Sequence, residues 1–585
     1  MFVRLQKIRR PNGSTDEYVQ ILESYRQNGK VRQKVVANLG NRRLLKANLE
    51  SLITVVDPDR ADLVHRADRA GEAGSVVPQV SAPYGIVLMV HELFTELDVW
   101  SLLDSLSDSK GWADRVALLV ANRLSGPTSE HGLGAWLEKT YVVDRQGERF
   151  MPVWKQQRRV KVDLVWLNQF YRALDILSKH KQRIEKELYF RLRDLFHLKV
   201  DVVFYDLTST YFEGEGPAGL AKYGYSRDGK PHNRQVLMGM VMVNGLPLAH
   251  HVFEGNTKDS NTVDKVIEDL EKRFEVGRIV FVGDRGMMTK QTLKYVRERG
   301  QGYLMGLTRR RRPEIAGYIE AAANSGAGME CGAGVAASEK ANPPKTLVWE
   351  VKGNEEGVRI FVVHSEEREQ YERAMRQRSM ERVTVELESL KTQVGKGRIK
   401  SPQKIGARAA RILTRNKGSR YYDWRLSSKG EFEYFEHPVN FELEKKIEGK
   451  YLIQTEERNL TAVEAVAEYK ELSEVERGFR SLKDIIEMRP IYHQKSSRVQ
   501  AHVFVAALAF LFERVLEKKL TKARSALSAA DALNALQTIC AVEFAVGGLN
   551  KKGVTPGSAR AREVLAVLGL NSPNLPQPPT LQPPM

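Results

Sequence analysis

Cysteine is nearly missing from this chain: Cys331 and Cys540 are the only two in 585 residues. That count excludes a disulfide framework and a cysteine-rich zinc module, and it fits a reducing compartment such as the cytoplasm. Long apolar runs are also missing. Val503 to Phe512 is among the longest, well short of the ~20 residues that span a bilayer. The opening MFVRLQKIRRPNGSTDEY has no apolar core of the kind a signal peptide carries. No membrane association is therefore expected. Acid is in deficit, with 73 Asp+Glu against 91 Lys+Arg and a formal charge of +18. Such an excess attracts polyanions, nucleic acid foremost, although the same charge also serves solubility or a membrane surface.

A chain of this length is expected to form two to four domains. Residues 1–45 read as an N-terminal β region, with Asn28-Gly29 as the turn of a hairpin. Residues 46–197 turn to helical periodicity, as in IVLMVHELFTELDVWSLLDSL. No helix-turn-helix stands out there. From 198 to 310 the pattern changes again. HLKVDVVFYDLTST is an apolar strand that runs into a polar turn, and VLMGMVMVNGLPLAHHVFEGN reads as two strands joined at Asn244-Gly245. A helix follows, then the strand GRIVFVGDRGM, a helix from the cap Thr289 to the stop at Gly300, and the strand GYLMGLTR. Residues 311–455 form a strand-rich insertion around a basic helical stretch. Between Lys391 and Arg420 it holds ten basic residues and no acid, among them Lys404, Arg408, Arg411 and Arg415. A lone charge run of this kind is usually a solvated face; here it also suits phosphate contact. Residues 456–520 return to helix from a capping box at Thr461-Ala-Val-Glu464. A C-terminal helical region covers 521–572, and the proline-rich 573–585 is expected to be disordered.

Two strands, VDVVFYD and RIVFVGD, each end in an aspartate followed by a polar turn. Either Asp206 or Asp284 alone reads as a turn or cap residue. As a pair in matching contexts they project from a sheet edge into one crevice, as ligands of a hard cation do. On the helix after Thr461, Glu476, Arg480 and Lys483 fall within about 40° of Tyr469 at ~100° per residue. Val475, Phe479, Leu482 and Ile486 form the adjoining core face. Taken alone, Glu476 is half of an intrahelical salt bridge with Arg480. The histidines His250, His251, His493 and His502 read as structural residues rather than zinc ligands, with Tyr492-His493 a further candidate to line a DNA channel.

The run from Tyr469 to Lys483 resembles the YREK signature of bacterial insertion-sequence DDE transposases, which reads Tyr, two residues, Arg, three residues, Glu, six residues, Lys. Tyr469, Glu476 and Lys483 match it in identity and spacing. Leu472 stands at the signature Arg position, with Arg477 or Arg480 as stand-ins for the charge. FYDLTSTYFEG, VGDRGM and RPIYHQKSSRVQAHVF are also similar to this group, and the likeness covers 200–310 and 448–515 most closely.

The resemblance implies an α/β fold: a ribonuclease-H-like mixed sheet core interrupted by a strand-rich insertion, with a mixed strand/helix N-terminal region. It implies that Asp206, Asp284 and Glu476 are catalytic and hold two Mg²⁺ (or Mn²⁺) ions, while Tyr469, Lys483 and, as an addition, Arg480 contact DNA phosphates. The expected partners are double-stranded DNA, as terminal inverted repeats and as target, and a second copy of the chain in the active complex. The expected place of action is the cytoplasm of a bacterial or archaeal cell, at the nucleoid. A metal nuclease that cuts without joining, and a non-catalytic DNA-binding descendant of a transposase, are the alternatives.

Overall fold

The computed structural model of the protein describes residues 2–9, 15–27, 30–41, 77–151, 164–196, 202–274, 278–283, 286–307, 313–331, 344–415, 417–546, 549–570 and 574. Two compact units emerge, Met1–Ser81 with Val542–Gly553, and Ala82–Ala541 with Val554–Met585.

In the first unit, β1 (Phe2–Arg9), β2 (Thr15–Gln27) and β3 (Lys30–Asn41) form an antiparallel sheet. Gln27 lies opposite Lys30, so β2 and β3 are joined by a two-residue connection, as the Asn28-Gly29 pair predicts. Those two residues lie outside the described residues. A second three-stranded sheet has the order β17-β16-β4, from β4 (Val77–Pro83), β16 (Cys540–Val546) and β17 (Leu549–Val554). The sequence reading expected a helical region over 521–572. Val542, Phe544 and Val546, β-branched or aromatic, favour extended backbone, and 540–546 is a strand instead.

The second unit opens with helices α1 (Gly85–Glu96), α2 (Val99–Asp104), α3 (Trp112–Ser125), α4 (Leu133–Leu137) and the 33-residue α5 (Leu164–Phe196). A nine-stranded sheet follows, with the order β10-β11-β12-β15-β9-β8-β5-β6-β7. Its first-formed half contains β5 (Val202–Tyr211), β6 (Gln235–Val243), β7 (Leu246–Glu254), helix α6 (Ser260–Phe274), β8 (Val280–Gly283), helix α7 (Lys290–Glu298) and β9 (Gly302–Leu307). β5, β6 and β7 pair antiparallel, whereas β8 runs parallel to both β5 and β9. This is the ribonuclease-H-like arrangement expected from the sequence. Its turns obey local chemistry: Asn244 and Gly245 have φ of 49° and 71°, the paired positive angles of a type I′ hairpin. The Thr289 side chain caps α7 by accepting from the Thr292 amide.

After α8 (Pro313–Asn324), strands β10 (Met329–Cys331), β11 (Thr346–Lys352) and β12 (Arg359–Ser365) do not stand apart. They join the core sheet through β15 (Lys450–Thr455), which lies between β12 and β9. Between β12 and β15, helices α9 (Glu366–Gly395) and α10 (Pro402–Arg415), strands β13 (Tyr422–Leu426) and β14 (Phe432–Glu436), and α11 (Pro438–Ile447) intervene. Val383, Leu387, Leu390, Ile405, Ala409, Ile412, Leu413 and Phe432 give the α9–α10 hairpin its own small core. Helix therefore outweighs strand among the described residues of 311–455, because Glu366–Gly395 buries Val383, Leu387 and Leu390 at helical spacing.

The chain then crosses the sheet with α12 (Ala462–Asp484), reaches α13 (Ser496–Lys522), and ends in α14 (Ala529–Leu536) and α15 (Ala559–Val567). By length and composition α13 is apolar enough to cross a membrane, which the run Val503–Phe512 alone did not suggest. Yet 89% of its most apolar window is buried inside the protein, against α3, α5, α12 and β7. It is the central helix of a packed core.

Candidate active site

On β5, Val203, Tyr205 and Leu207 belong to the core beneath α6 and α7. Side chains alternate along a strand, so Phe204, Asp206 and Thr208 face the other way. That is the side crossed by α12, which packs over β5, β8 and β9. Asp206 is half-buried, and its Oδ1 accepts from the Leu207 amide at 2.7 Å. Asp284 lies outside the described residues, one position beyond the end of β8.

Why α12 lies there follows from its sequence. Thr461 and Glu464 form the expected capping box, so the helix starts at Ala462. Leu472, Val475, Phe479 and Leu482 are buried along one side. At its first half Tyr469 reaches the sheet, stacked on Tyr451 at 5.9 Å. A Cβ on Gly306 of β9 would sit 1.9 Å from the Tyr469 hydroxyl oxygen, so glycine leaves the room the ring needs. Gly306→Ala should therefore cost about 1–3 kcal/mol, as overpacking does, and lower the denaturation midpoint. Gly317→Ala, in open space inside helix α8, should instead raise it, by about 0.5–1 kcal/mol of stability.

At the far end of the same stripe, the Lys483 ammonium lies 2.7 Å from Asp228 Oδ1, in the loop that connects β5 to β6. Glu476 is midway between Tyr469 and Lys483, seven residues or ~10 Å from each. It is exposed and has no ion pair among the described residues. The intrahelical bridge to Arg480 is thus not formed. Arg480 is exposed and likewise without an ion pair among the described residues, whereas Arg477 is held by Glu474 at 2.7 Å and by Glu517 at 3.8 Å. Leu472, at the signature Arg position, is buried and apolar. Of the two stand-ins, only Arg480 keeps its charge uncompensated among the described residues.

The other basic candidates lie on α10. Lys404, Arg408, Arg411 and Arg415 repeat at i, i+4, i+7 and i+11, forming one exposed stripe opposite buried Ile405, Ala409 and Ile412. Arg415 is paired with Glu386 at 3.2 Å; the other three have no ion pair among the described residues.

The structure also shows what the sequence reading missed. Asp228 is buried between Lys483 and Arg489; its only local signal was an Asp-Gly turn. A second buried network joins α3 to the segment after α12. Arg123 donates to the Glu487 carbonyl at 3.1 Å and lies 3.3 Å from His502 Nδ1, while His502 Nε2 lies 2.9 Å from the Met488 carbonyl. His493 Nε2 is 3.4 Å from Glu130. Glu130, His493 and His502 come close enough to hold a metal. Both ring nitrogens of His502 are already engaged by protein, however, and burial beside Arg123 keeps that ring neutral. His493 is buried, while Tyr492 is exposed. His250 and His251 are similarly taken up, by Glu185 at 2.8 Å and Asp269 at 3.2 Å.

Comparison with known proteins adds a second line of observation. Residues 201–512, more than half the chain, match the transposase DDE domain family, and residues 3–61 match the N-terminal domain of IS1634 family transposases. No curated protein matches the chain. Among solved structures, a piggyBac transposase synaptic complex with hairpin DNA aligns at 8% identity and a TM-score of 0.32, over 79% of this chain and 82% of that one. A Mos1 transposase paired-end complex with the left transposon end aligns at 10% identity and a TM-score of 0.14, over 32% and 57%.

Proposed function

This chain belongs to the insertion-sequence DDE transposases, enzymes that cleave and transfer DNA strands with divalent metal ions, and on that premise we propose that Asp206, Asp284 and Glu476 form its active site. The observation that carries the reading is the position of Glu476. It is an exposed carboxylate, without an ion pair among the described residues, on the sheet face that Asp206 also occupies. It stands midway along a stripe whose two ends are fixed by Gly306 and Asp228. A residue that served only helix stability would have taken Arg480 as its partner.

The donor set fits hard divalent cations, since carboxylate oxygens are the ligands Mg²⁺ and Mn²⁺ prefer and Glu476 carries no competing cation among the described residues. Two such ions would supply activation of the attacking hydroxyl and stabilisation of the leaving oxygen. The protein's own part is placement. β5 sets Asp206 on a rigid strand, and α12 sets Glu476 on a helix anchored at both ends.

The substrates we assign are the terminal inverted repeats of an insertion sequence and a target duplex, with two copies of the chain holding two ends, in the cytoplasm at the nucleoid. Region 46–197 is the candidate for end recognition. The stripe of Lys404, Arg408 and Arg411 suits backbone phosphates, which position a duplex without reading its sequence. Neutralising these three to alanine should lower the slope of log affinity against log salt by about 0.9 for each phosphate no longer neutralised, with no change in folding. An unchanged slope would remove the α10 stripe from the DNA interface.

The decisive experiment supplies inverted-repeat DNA bearing a pre-cut 3′ end, a target plasmid and Mg²⁺. Joined product is expected from the wild-type chain. Cleavage without any joined product would identify a nuclease, and salt-dependent binding with neither reaction would identify a non-catalytic descendant.

A further inference from the structure

The loop between β5 and β6 carries a buried carboxylate in an unusual setting. The Asp228 side chain is 3% exposed, and its Oδ1 alone accepts from both the Lys483 ammonium, at 2.7 Å, and the Arg489 guanidinium. Its Oδ2 is buried with no hydrogen-bond partner among the described residues. Arg489 also meets Asp484 at 3.1 Å. Two cations therefore face two carboxylates, and the cluster is neutral. A neutral cluster has little to offer a phosphate, because the affinity of a protein for DNA comes from cations that replace condensed counterions. Yet Lys483 lies on the stripe of Glu476, at the end of the helix where a DNA strand must pass.

One acceptor oxygen bridging an ammonium and a guanidinium is also how a phosphate oxygen is held. We propose that Asp228 is a protein-borne stand-in for a DNA phosphate: it keeps the charges of Lys483 and Arg489 compensated until a backbone phosphate displaces it. This inference rests on the reading of the α12 face as a DNA-contacting site and specifies how that site is regulated.

Asp228 is followed by Gly229, with φ of +66° and no atom within 4 Å of where its Cβ would lie. The turn is fastened on both sides: the Arg227 amide donates to Ser209 Oγ at 3.0 Å, the Arg227 guanidinium pairs with Asp259 at 2.7 Å, and the Lys230 amide donates to Ser226 Oγ at 3.0 Å. Between these anchors the Asp228 carboxylate is held only by the two cations among the described residues, so a phosphate that takes both cations leaves it nothing to hold it in place. With the loop in place, weak or misplaced DNA meets a masked site; only a duplex held elsewhere on the protein brings enough binding energy to unmask it.

The test is Asp228→Asn, with binding to an unrelated-sequence duplex measured by fluorescence anisotropy in EDTA, so that no cleavage intervenes. At about 0.1 M salt the variant should bind at least about tenfold more tightly than wild type. Its slope of log affinity against log salt should steepen by roughly one to two, for one or two phosphates newly engaged. Lys483→Met placed in the same variant should lower the added slope by about one. Unchanged or weaker affinity, or an added slope that Lys483→Met leaves unaltered, would overturn the proposal. Asp228→Ser carries the same expectation should the asparagine variant not fold. Failure of both variants to fold would make Asp228 a purely structural ion-pair residue and overturn it as well. A null result alongside normal wild-type strand transfer sinks this inference alone. Wild-type protein that shows no salt-dependent DNA binding sinks the reading beneath it.

Discussion

Glu476→Gln should abolish Mg²⁺-dependent cleavage and joining, by ~10³-fold or more, while leaving the fold and DNA binding intact. The size follows from the transition state: a metal ligand that contributes several kcal/mol of charge stabilisation is worth a factor of ten for each ~1.4 kcal/mol removed. The selectivity follows from the side chain's setting. Glu476 is exposed and carries no ion pair among the described residues, so the amide should change stability by no more than about 0.5 kcal/mol. Removing a negative charge from the DNA-facing side should if anything strengthen binding. Glu471→Gln, an exposed acid on the same helix, is the control and should cleave normally. Wild-type rates in Glu476→Gln would disprove the assignment of this carboxylate, whatever the fate of Asp206. Asp206→Asn should match the catalytic loss, although Asp206 is half-buried and a modest stability change is expected with it.

What the sequence disclosed was written in local chemistry. The hairpin turn at Asn244-Gly245, the capping box at Thr461 and the stripe from Tyr469 to Lys483 each depend on residues within a few positions of one another, and each appears where the spacing put it. Pairing between distant segments leaves no such trace. Nothing in β10, β11 or β12 announces that they extend the core sheet through β15, because strand order depends on the partner and not on the strand. β16 and β17 were hidden inside a helical expectation for the same reason. The site divides along the same line. The three candidate acids were nominated from strand ends and a signature, while Asp228, some 250 residues from Lys483 in sequence, could be linked to it only by the fold.

Stability should fall steeply as pH drops from about 6.5 toward 5, well before ordinary carboxylates titrate. His250 and His502 are both deeply buried, at 1% and 4% exposure. Burial, reinforced by Lys181, holds His250 down to about 4. Burial, with Arg123 beside it, depresses His502 in the same direction. Each ring is neutral in the folded protein, whereas in the unfolded chain it takes up a proton below ~6.5. The unfolded state then binds more protons than the native state, so stability is complete above about pH 6.5 and is lost as pH falls toward the folded values. His91, held down to about 4 by burial, is a third such ring, and three give a limiting slope of ~4 kcal/mol per pH unit. Across 1.5 units that reaches ~6 kcal/mol, a large share of the ~5–15 kcal/mol that holds a folded protein together. Denaturant unfolding at pH 7.0, 6.0 and 5.0 measures it directly. His502→Gln, which retains a donor and an acceptor for the Met488 carbonyl and Arg123, should be less stable at pH 7 but should lose about one proton's worth of the slope. A slope that His502→Gln leaves unchanged would mean that the His502 ring takes up its proton inside the fold. In that case the Arg123–His502 contact, which requires an unprotonated Nδ1, could not be the arrangement that fixes the segment after α12.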